Sequence, residues 1–180
     1  MRKAFTLIEL MVVASIIIIL SAVALLNYQS GQSQFALQRS ANKLAQDIRR
    51  AQEMAMSAKE CQECGGGIPP GYGIFLDRDW DNKRYRLYAD TDPSQGNEFY
   101  NSADTSVGPL LELEKGVIIK DINTAPKKVS INFKPPDPTV KIKFQLVGEI
   151  DEVVITLAIE NDLNKTKTIK INQAGLIYVE

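Results

Sequence analysis

Between Phe5 and Leu26 the chain reads FTLIELMVVASIIIILSAVALL, an apolar segment whose single charge is Glu9. Leu10 to Leu26 carries no ionisable side chain at all, and a run of that size sits at the short end of the roughly 17–25 residues that span a bilayer as a helix. A segment of this kind is stable only where water is excluded, so it splits the chain into an apolar rod and a remainder with ordinary soluble patterning. A secretory signal is the competing reading. Its apolar core would be about 7–15 residues followed by small residues at a cleavage site, whereas here the core is longer and is followed by NYQSGQSQF. Arg2 and Lys3 lie before the segment, which favours a cytoplasmic start and an exported remainder.

A plain single-pass anchor leaves Glu9 unexplained. A carboxylate within an apolar helix costs on the order of 2.5–3.5 kcal/mol at the centre of a span and less near its edge. It persists where a cation meets it. A cut between Ala4 and Phe5 would create such a cation, a new amino terminus about one helical turn away. In a staggered bundle of parallel helices, Glu9 of one copy would meet the Phe5 amine of the next, and charge neutralisation would set the register.

These residues carry a resemblance. KAFTLIELMVVASIIIILSAVALLNY resembles the amino terminus of type IV pilins and type II secretion pseudopilins, through Lys3, Phe5, Thr6, Leu7, Ile8, Glu9 and Leu10. The resemblance implies a leader peptide of residues 1–4, cleavage by a prepilin peptidase between Ala4 and Phe5, and N-methylation of the new terminus. It also implies assembly through Thr6, Leu7, Ile8, Glu9 and Leu10. Two features depart from the family pattern: Ala4 stands where Gly usually precedes the cut, and Ile18 and Leu26 replace the common helix-interrupting Gly and Pro. Their absence predicts an uninterrupted helix, and tilts the reading toward a minor subunit.

Beyond the apolar segment the helical period continues. Leu37, Ala41, Leu44, Ile48, Ala51, Ala55 and Ala58 recur at alternating spacings of four and three, with Arg39, Lys43, Asp47, Arg49, Arg50 and Glu53 off the seam. This predicts an amphipathic continuation over residues 27–59 packed on a sheet, with Asn27 to Gln34 around Gly31 as the place for a bend. CGGGIPPGYG stops the helix. Residues 60–180 then read as strands: YGIFLD and RYRLYAD around a polar RDWDNK tip, two strands in SINFKPPDPTVKIKFQLV, then EVVITLAIE, and a closing hairpin in KTIKINQAGLIYVE turned at Gln173 to Gly175. In the fourth of these, Val140, Ile142, Phe144 and Leu146 alternate with Lys141, Lys143 and Gln145. The fold class is α+β, a long amino-terminal helix on an antiparallel sheet or sandwich of about seven strands. That pattern and the terminal INQAGLI look like the GspH/FimT kind of minor pilin.

The chain has 180 residues, a net charge of −1 and no histidine. The near-neutral balance argues against a general nucleic-acid binder, and the missing histidine removes Ser-His and Cys-His nucleophile pairs. No enzymatic role is expected. A tetrahedral zinc site at Cys61 and Cys64 needs two further ligands, and the sequence has no third Cys and no His. A local disulfide ranks first for them, ahead of free thiols and of metal or intermolecular use. Asp90, Asp92, Ser94 and Glu98 present hard oxygens at spacings reminiscent of calcium loops, but Gly96 comes one place late and the twelfth position is Asn101. A solvated hairpin loop is the first expectation there and a weak calcium site the second, so no other cofactor is expected. Relatives of the FimT kind include DNA-uptake pilins with basic carboxyl-terminal residues. Here the last ten residues contain no Lys or Arg, and Leu176 follows the glycine.

The resulting expectation is a structural subunit of a pilus or pseudopilus, placed in the inner membrane as a single-pass precursor with a cytoplasmic amino terminus and then drawn outward. Its partners would be other pilin or pseudopilin subunits, the prepilin peptidase, the inner-membrane assembly platform and, before assembly, the lipid bilayer. A DNA-binding minor pilin and a merely anchored extracytoplasmic domain are the alternatives.

Overall fold

The computed structural model describes the backbone of residues 6–92, 96–135, 140–145 and 148–180, and the side chains of all of these except 24–30. The first element, α1 (Leu7–Met56), is one helix that continues through Gly31. The side chains of Asn27 to Ser30, where a bend was expected, lie outside the described residues, as do Phe5 and the end of the apolar segment from Ala24 to Leu26.

Ten strands follow among the described residues: β1 (Gly71–Asp77), β2 (Arg84–Asp90), β3 (Thr105–Ser106), β4 (Leu111–Glu112), β5 (Val117–Ile122), β6 (Lys128–Phe133), β7 (Val140–Lys143), β8 (Glu152–Ile159), β9 (Asp162–Asn172) and β10 (Ile177–Val179). They form two antiparallel sheets. In the first the order is β3-β2-β1-β6-β7 with β4 also on β2; in the second it is β10-β9-β8-β5. The α+β class holds, and the sheet content exceeds the expected seven strands. β5 escapes the sequence reading because its alternation breaks at a register shift between Ile119 and Asp121. β3 and β4 have two residues each, too few to carry a period. The expected Val140–Leu146 alternation stops early: Val140 and Ile142 are buried, the strand ends at Lys143, and Leu146 lies outside the described residues.

Both sheets pack on α1. Leu37, Ala41, Leu44, Ile48, Ala51 and Ala55 are buried as expected, but so are Ala36, Ser40, Ala45 and Met54. Two sheets need a wider buried face than a single seam supplies, and the alanines let the strands come close. The flanking polar residues reach over to the sheets. Arg39 makes a two-pronged pair with Glu114 at 2.7 and 2.6 Å, the Tyr85 hydroxyl donates to Asp47 at 2.6 Å, and Arg49 donates to the Ile177 carbonyl at 2.9 Å.

The helix ends at Met56, three residues before its expected limit. Lys59 N–H bonds the Met54 carbonyl at 3.0 Å and Ala58 N–H bonds that of Ala55 at 3.0 Å, the two closing bonds of a Schellman motif. Its left-handed position is Ala58, with φ 47°, so Ala58 is exposed and leaves the buried seam.

On the first sheet Tyr72, Ile74 and Leu76 face the helix, while Gly71, Gly73 and Phe75 take the outer face. Glycine is required there. A Cβ on Gly73 would stand 2.7 Å from both the Ile131 carbonyl and the Tyr88 ring, and one on Gly71 would stand 2.6 Å from Asn132 Oδ1. Two outcomes follow. Gly73→Ala lowers stability by about 1–3 kcal/mol, the range for forced overpacking. Ala58→Gly raises it by about 0.5–1 kcal/mol, because the left-handed cost of a Cβ at the cap outweighs the added freedom of the unfolded chain. Denaturant titration of the full chain in detergent reads both.

Candidate functional site

The amino-terminal helix begins at a cap. Thr6 is extended, and it donates its N–H and its hydroxyl to Glu9 Oε2, each at 2.8 Å. In return the Glu9 N–H donates to Thr6 Oγ1 at 3.3 Å. This reciprocal capping box gives Glu9 a partner within its own chain. The sequence reading assigns Glu9 a cation and counts Thr6 among the assembly residues but misses the cap they form, although Thr-x-x-Glu at a helix start is itself the signature. Both Thr6 bonds go to Oε2, and among the described residues Oε1 accepts nothing. The Ser15 hydroxyl, the other polar group in this stretch, is satisfied by the Met11 carbonyl at 2.8 Å.

From Leu7 to Val23, twelve large apolar side chains stand between 51% and 78% exposed. They cover every side of the helix, so no rotation could bury them against the sheets. Hiding them would release on the order of 20 kcal/mol at about 1.5–3 kcal/mol each. Among the described residues no helix is long and apolar enough to cross a membrane. Leu7, Ile8 and Leu10 are exposed members of the apolar surface, whereas Ala4 and Phe5 lie outside the described residues.

At the far end of α1, Cys61 and Cys64 are joined by a disulfide with Cα atoms 5.2 Å apart. Cys61 is buried in the core, and its N–H bonds the Gly67 carbonyl at 2.8 Å. Gly65, Gly66 and Gly67 all take left-handed φ values, which lets so short a ring turn back. The Tyr72 hydroxyl donates to the Lys59 carbonyl at 2.7 Å, joining the helix end to β1.

The loop between β2 and β3 is a strap across the outer face of the first sheet. Asp90, 1% exposed, accepts the N–H groups of Asn97 at 3.0 Å and Glu98 at 2.6 Å, and the Asn132 amide at 3.2 Å. Asp104, 6% exposed, accepts those of Thr91, Asp92 and Asn101 at 2.8–3.0 Å. Tyr100 N–H bonds Ser130 Oγ at 2.9 Å, and its ring lies 4.7 Å from that of Phe75. The expected solvated loop is therefore clamped down, by two carboxylates of which sequence reasoning named only Asp90. Of the candidate calcium ligands, the described carboxylates Asp90, Asp92 and Glu98 are not grouped around one point. Asp90 points inward, Asp92 is exposed, Ser94 lies outside the described residues, and Glu98 pairs with Lys143 at 2.7 Å. Among the described residues no group of three or more suitable side chains could hold a metal ion.

Burial pushes Asp90 above the ordinary carboxylate range, against the backbone N–H groups of Asn97 and Glu98. Burial also drives the Tyr88 hydroxyl upward. Glu98 goes the other way: burial would raise it, but the Lys143 hydrogen bond and the charges of Lys143, Lys134 and Lys141 hold it below its usual value of 4.5. A carboxylate depressed by folding stabilises above its unfolded value and loses that contribution as the pH falls through its folded value. Glu98→Gln is expected to destabilise the chain at neutral pH, with the deficit against wild type narrowing as the pH drops below 4.5. Paired denaturation curves from pH 7 to about pH 3 measure this.

Comparison with known proteins bears on the amino terminus. A family model described as the prokaryotic N-terminal methylation motif matches residues 1–25. No curated protein sequence matches the chain. Among solved structures, the type IV minor pilin FimU of Pseudomonas aeruginosa aligns in two crystal forms. The first has 15% identity over 80% of this chain and 87% of that one with a TM-score of 0.48; the second has 16% identity over 80% and 92% with a TM-score of 0.47. The N-terminal methylation motif thus spans the residues that form the cap and first turns of the exposed helix.

Proposed function

We propose that this chain is a structural subunit of a type IV pilus or a type II secretion pseudopilus. The observation that carries the reading is the apolar surface of Leu7 to Val23, exposed on all sides and begun by Glu9 within the methylation motif. The precursor lies in the inner membrane as a single pass with its amino terminus in the cytoplasm. A prepilin peptidase cuts before Phe5, the new terminus is methylated, and the assembly platform moves the helix from lipid into a bundle of its copies or relatives.

Glu9 fits that role without giving up its cap. After the cut, Thr6 still has an amide N–H and a hydroxyl to offer Oε2. An ionised carboxylate has about four lone-pair sites, so Oε1 can take the Phe5 amine of a neighbour. In a dry bundle such a pair fixes axial stagger, because a slip of one residue leaves both charges unmatched.

The DNA-uptake alternative finds little in the charge distribution. Lys127 pairs with Asp121, Lys134 and Lys143 with Glu98, Lys141 with Glu149, Lys165 with Asp162 and Lys170 with Glu180. Lysines already matched to carboxylates neutralise few phosphates, and so release few of the counterions condensed on a nucleic acid.

Mass spectrometry of the mature chain is expected to give a methylated terminus at Phe5, and an intact Met1 would contradict processing. Glu9→Ala is expected to cut filament yield by more than about ten-fold, given the cost of an unpaired buried charge. Thr6→Val, which removes the cap's hydroxyl but keeps the carboxylate, retains assembly. Equal yield from Glu9→Ala and wild type would refute the pairing.

A further inference from the structure

The strap between β2 and β3 does not cover the whole outer face of the first sheet. Beyond Tyr100, toward the β1–β2 turn, it leaves a cleft of about 230 Å³. The Phe75 and Tyr100 rings line one part of it, Leu110 lines another, and Trp80 stands at the hairpin tip with 72% of its surface exposed. Trp80 is held in place from below. Asp77 Oδ1 accepts the N–H groups of Asp79 and Trp80, each at 3.2 Å, and Asp81 N–H bonds the Asp77 carbonyl at 2.9 Å. A turn fixed this firmly presents a large apolar ring to solvent, where burying it against the sheet would be favourable. The turn thereby holds the indole out beside the cleft as an exposed, flat apolar surface.

The polar groups restrict what could lie on it. Two carboxylates, Asp77 and Asp81, and two guanidiniums, Arg84 and Arg86, line the same cleft, so neither a cation nor an anion gains from the balance. Arg86 already lies over the Tyr100 ring at 5.4 Å, which fills the face an ammonium would need. Arg84 is engaged by Asp81. Asp77 and Arg86 keep hydrogen-bonding capacity: among the described residues Asp77 Oδ2 accepts nothing, and Arg86 spends one nitrogen on Ser106 Oγ at 2.9 Å. An acceptor and a donor fork beside aromatic rings suit a neutral ring with an apolar C–H face and hydroxyls at its edge. The volume is smaller than the roughly 300–1,000 Å³ of pockets for drug-sized ligands, which leaves room for one such ring.

We propose that this cleft is a saccharide subsite, in which one pyranose stacks on Trp80 and its hydroxyls bond Asp77 and Arg86. The proposal stands apart from filament assembly, since it concerns the unassembled chain.

Trp80 is the chain's one tryptophan, so fluorescence excited beyond the tyrosine absorption band reports on this position alone. The full chain, held in a detergent without a sugar headgroup, is titrated with glucose, galactose, mannose, N-acetylglucosamine and N-acetylgalactosamine. At least one is expected to change the emission saturably in the millimolar range, with saturation-transfer NMR signals on its ring C–H protons. Trp80→Ala is expected to weaken that NMR-detected binding by about ten-fold or more, the loss of a stacking platform. Its circular dichroism should match wild type, because Trp80 lies outside the core. Trp80→Phe retains a ring and keeps most of the binding. The proposal is overturned if no sugar saturates, if Trp80→Ala binds like wild type, or if choline chloride or adenosine monophosphate saturates the site in place of the sugars.

Discussion

Between Val23 and Ala36 the burial of α1 changes in kind. From Ala36 to Ala55 the helix has one face sealed by two sheets, with Ala41, Leu44, Ile48 and Ala51 wholly inaccessible. From Leu7 to Val23 its large apolar side chains all stay more than half exposed. Continuity of the helix through both halves is the constraint on which the rest depends. Backbone hydrogen bonds within the helix satisfy the peptide groups in either setting, so one element can serve as core wall at one end and as an unpartnered rod at the other. The sheets bury the carboxyl-terminal half of the helix, and the amino-terminal half keeps its apolar surface exposed.

The first sheet solves a second problem, that of its outer face. The absence of a Cβ at Gly71 and Gly73 leaves a trough into which the Tyr88 ring and the Asn132 amide settle. The strap then closes over them, held not by apolar burial but by Asp90 and Asp104, each satisfying two or three backbone N–H groups. Burying carboxylates is costly unless they are so bonded. The arrangement is therefore strict about geometry: the strap must take one path, and Glu98 is held at φ 64° to follow it. One buried atom remains without a partner among the described residues, Asn132 Oδ1, which lies against Gly71.

Legibility in the sequence followed the strength of the local pattern. The apolar run, the three-and-four spacing from Leu37 to Ala55 and the alternation in EVVITLAIE each repeat often enough to fix an element. β5 has the composition of a strand, but its bulge between Ile119 and Asp121 puts the buried residues out of phase. The wide helix face was hidden because alanine and serine read as neutral until two sheets close on them. Ala58 looked like one more seam residue because its left-handed backbone depends on the Schellman bonds of Ala58 and Lys59. For the site residues the limit was different. Aspartates in a loop look alike in sequence, and whether they face a cation or a row of backbone N–H groups is decided by the strap's path over Ser130 and Asn132.

The Thr6–Glu9 cap matters for the same reason that the rod is continuous. A helix entering an apolar environment brings four unsatisfied N–H groups at its start, and water cannot reach them there. Thr6 and Glu9 deal with part of that problem inside one chain, taking the Glu9 and Thr6 N–H groups. A single oxygen of Glu9 suffices for it. The carboxylate's charge remains, and it sits at the positive end of the helix dipole, which partly compensates it. What the cap leaves over is a net negative group at a fixed height on each rod, and in a bundle of such rods only a positive group at the matching height on a neighbour removes the residual cost. Under the proposed assembly, intrachain capping and intersubunit pairing would be successive demands on one side chain, the first holding Glu9 Oε2 and leaving Oε1 for the second.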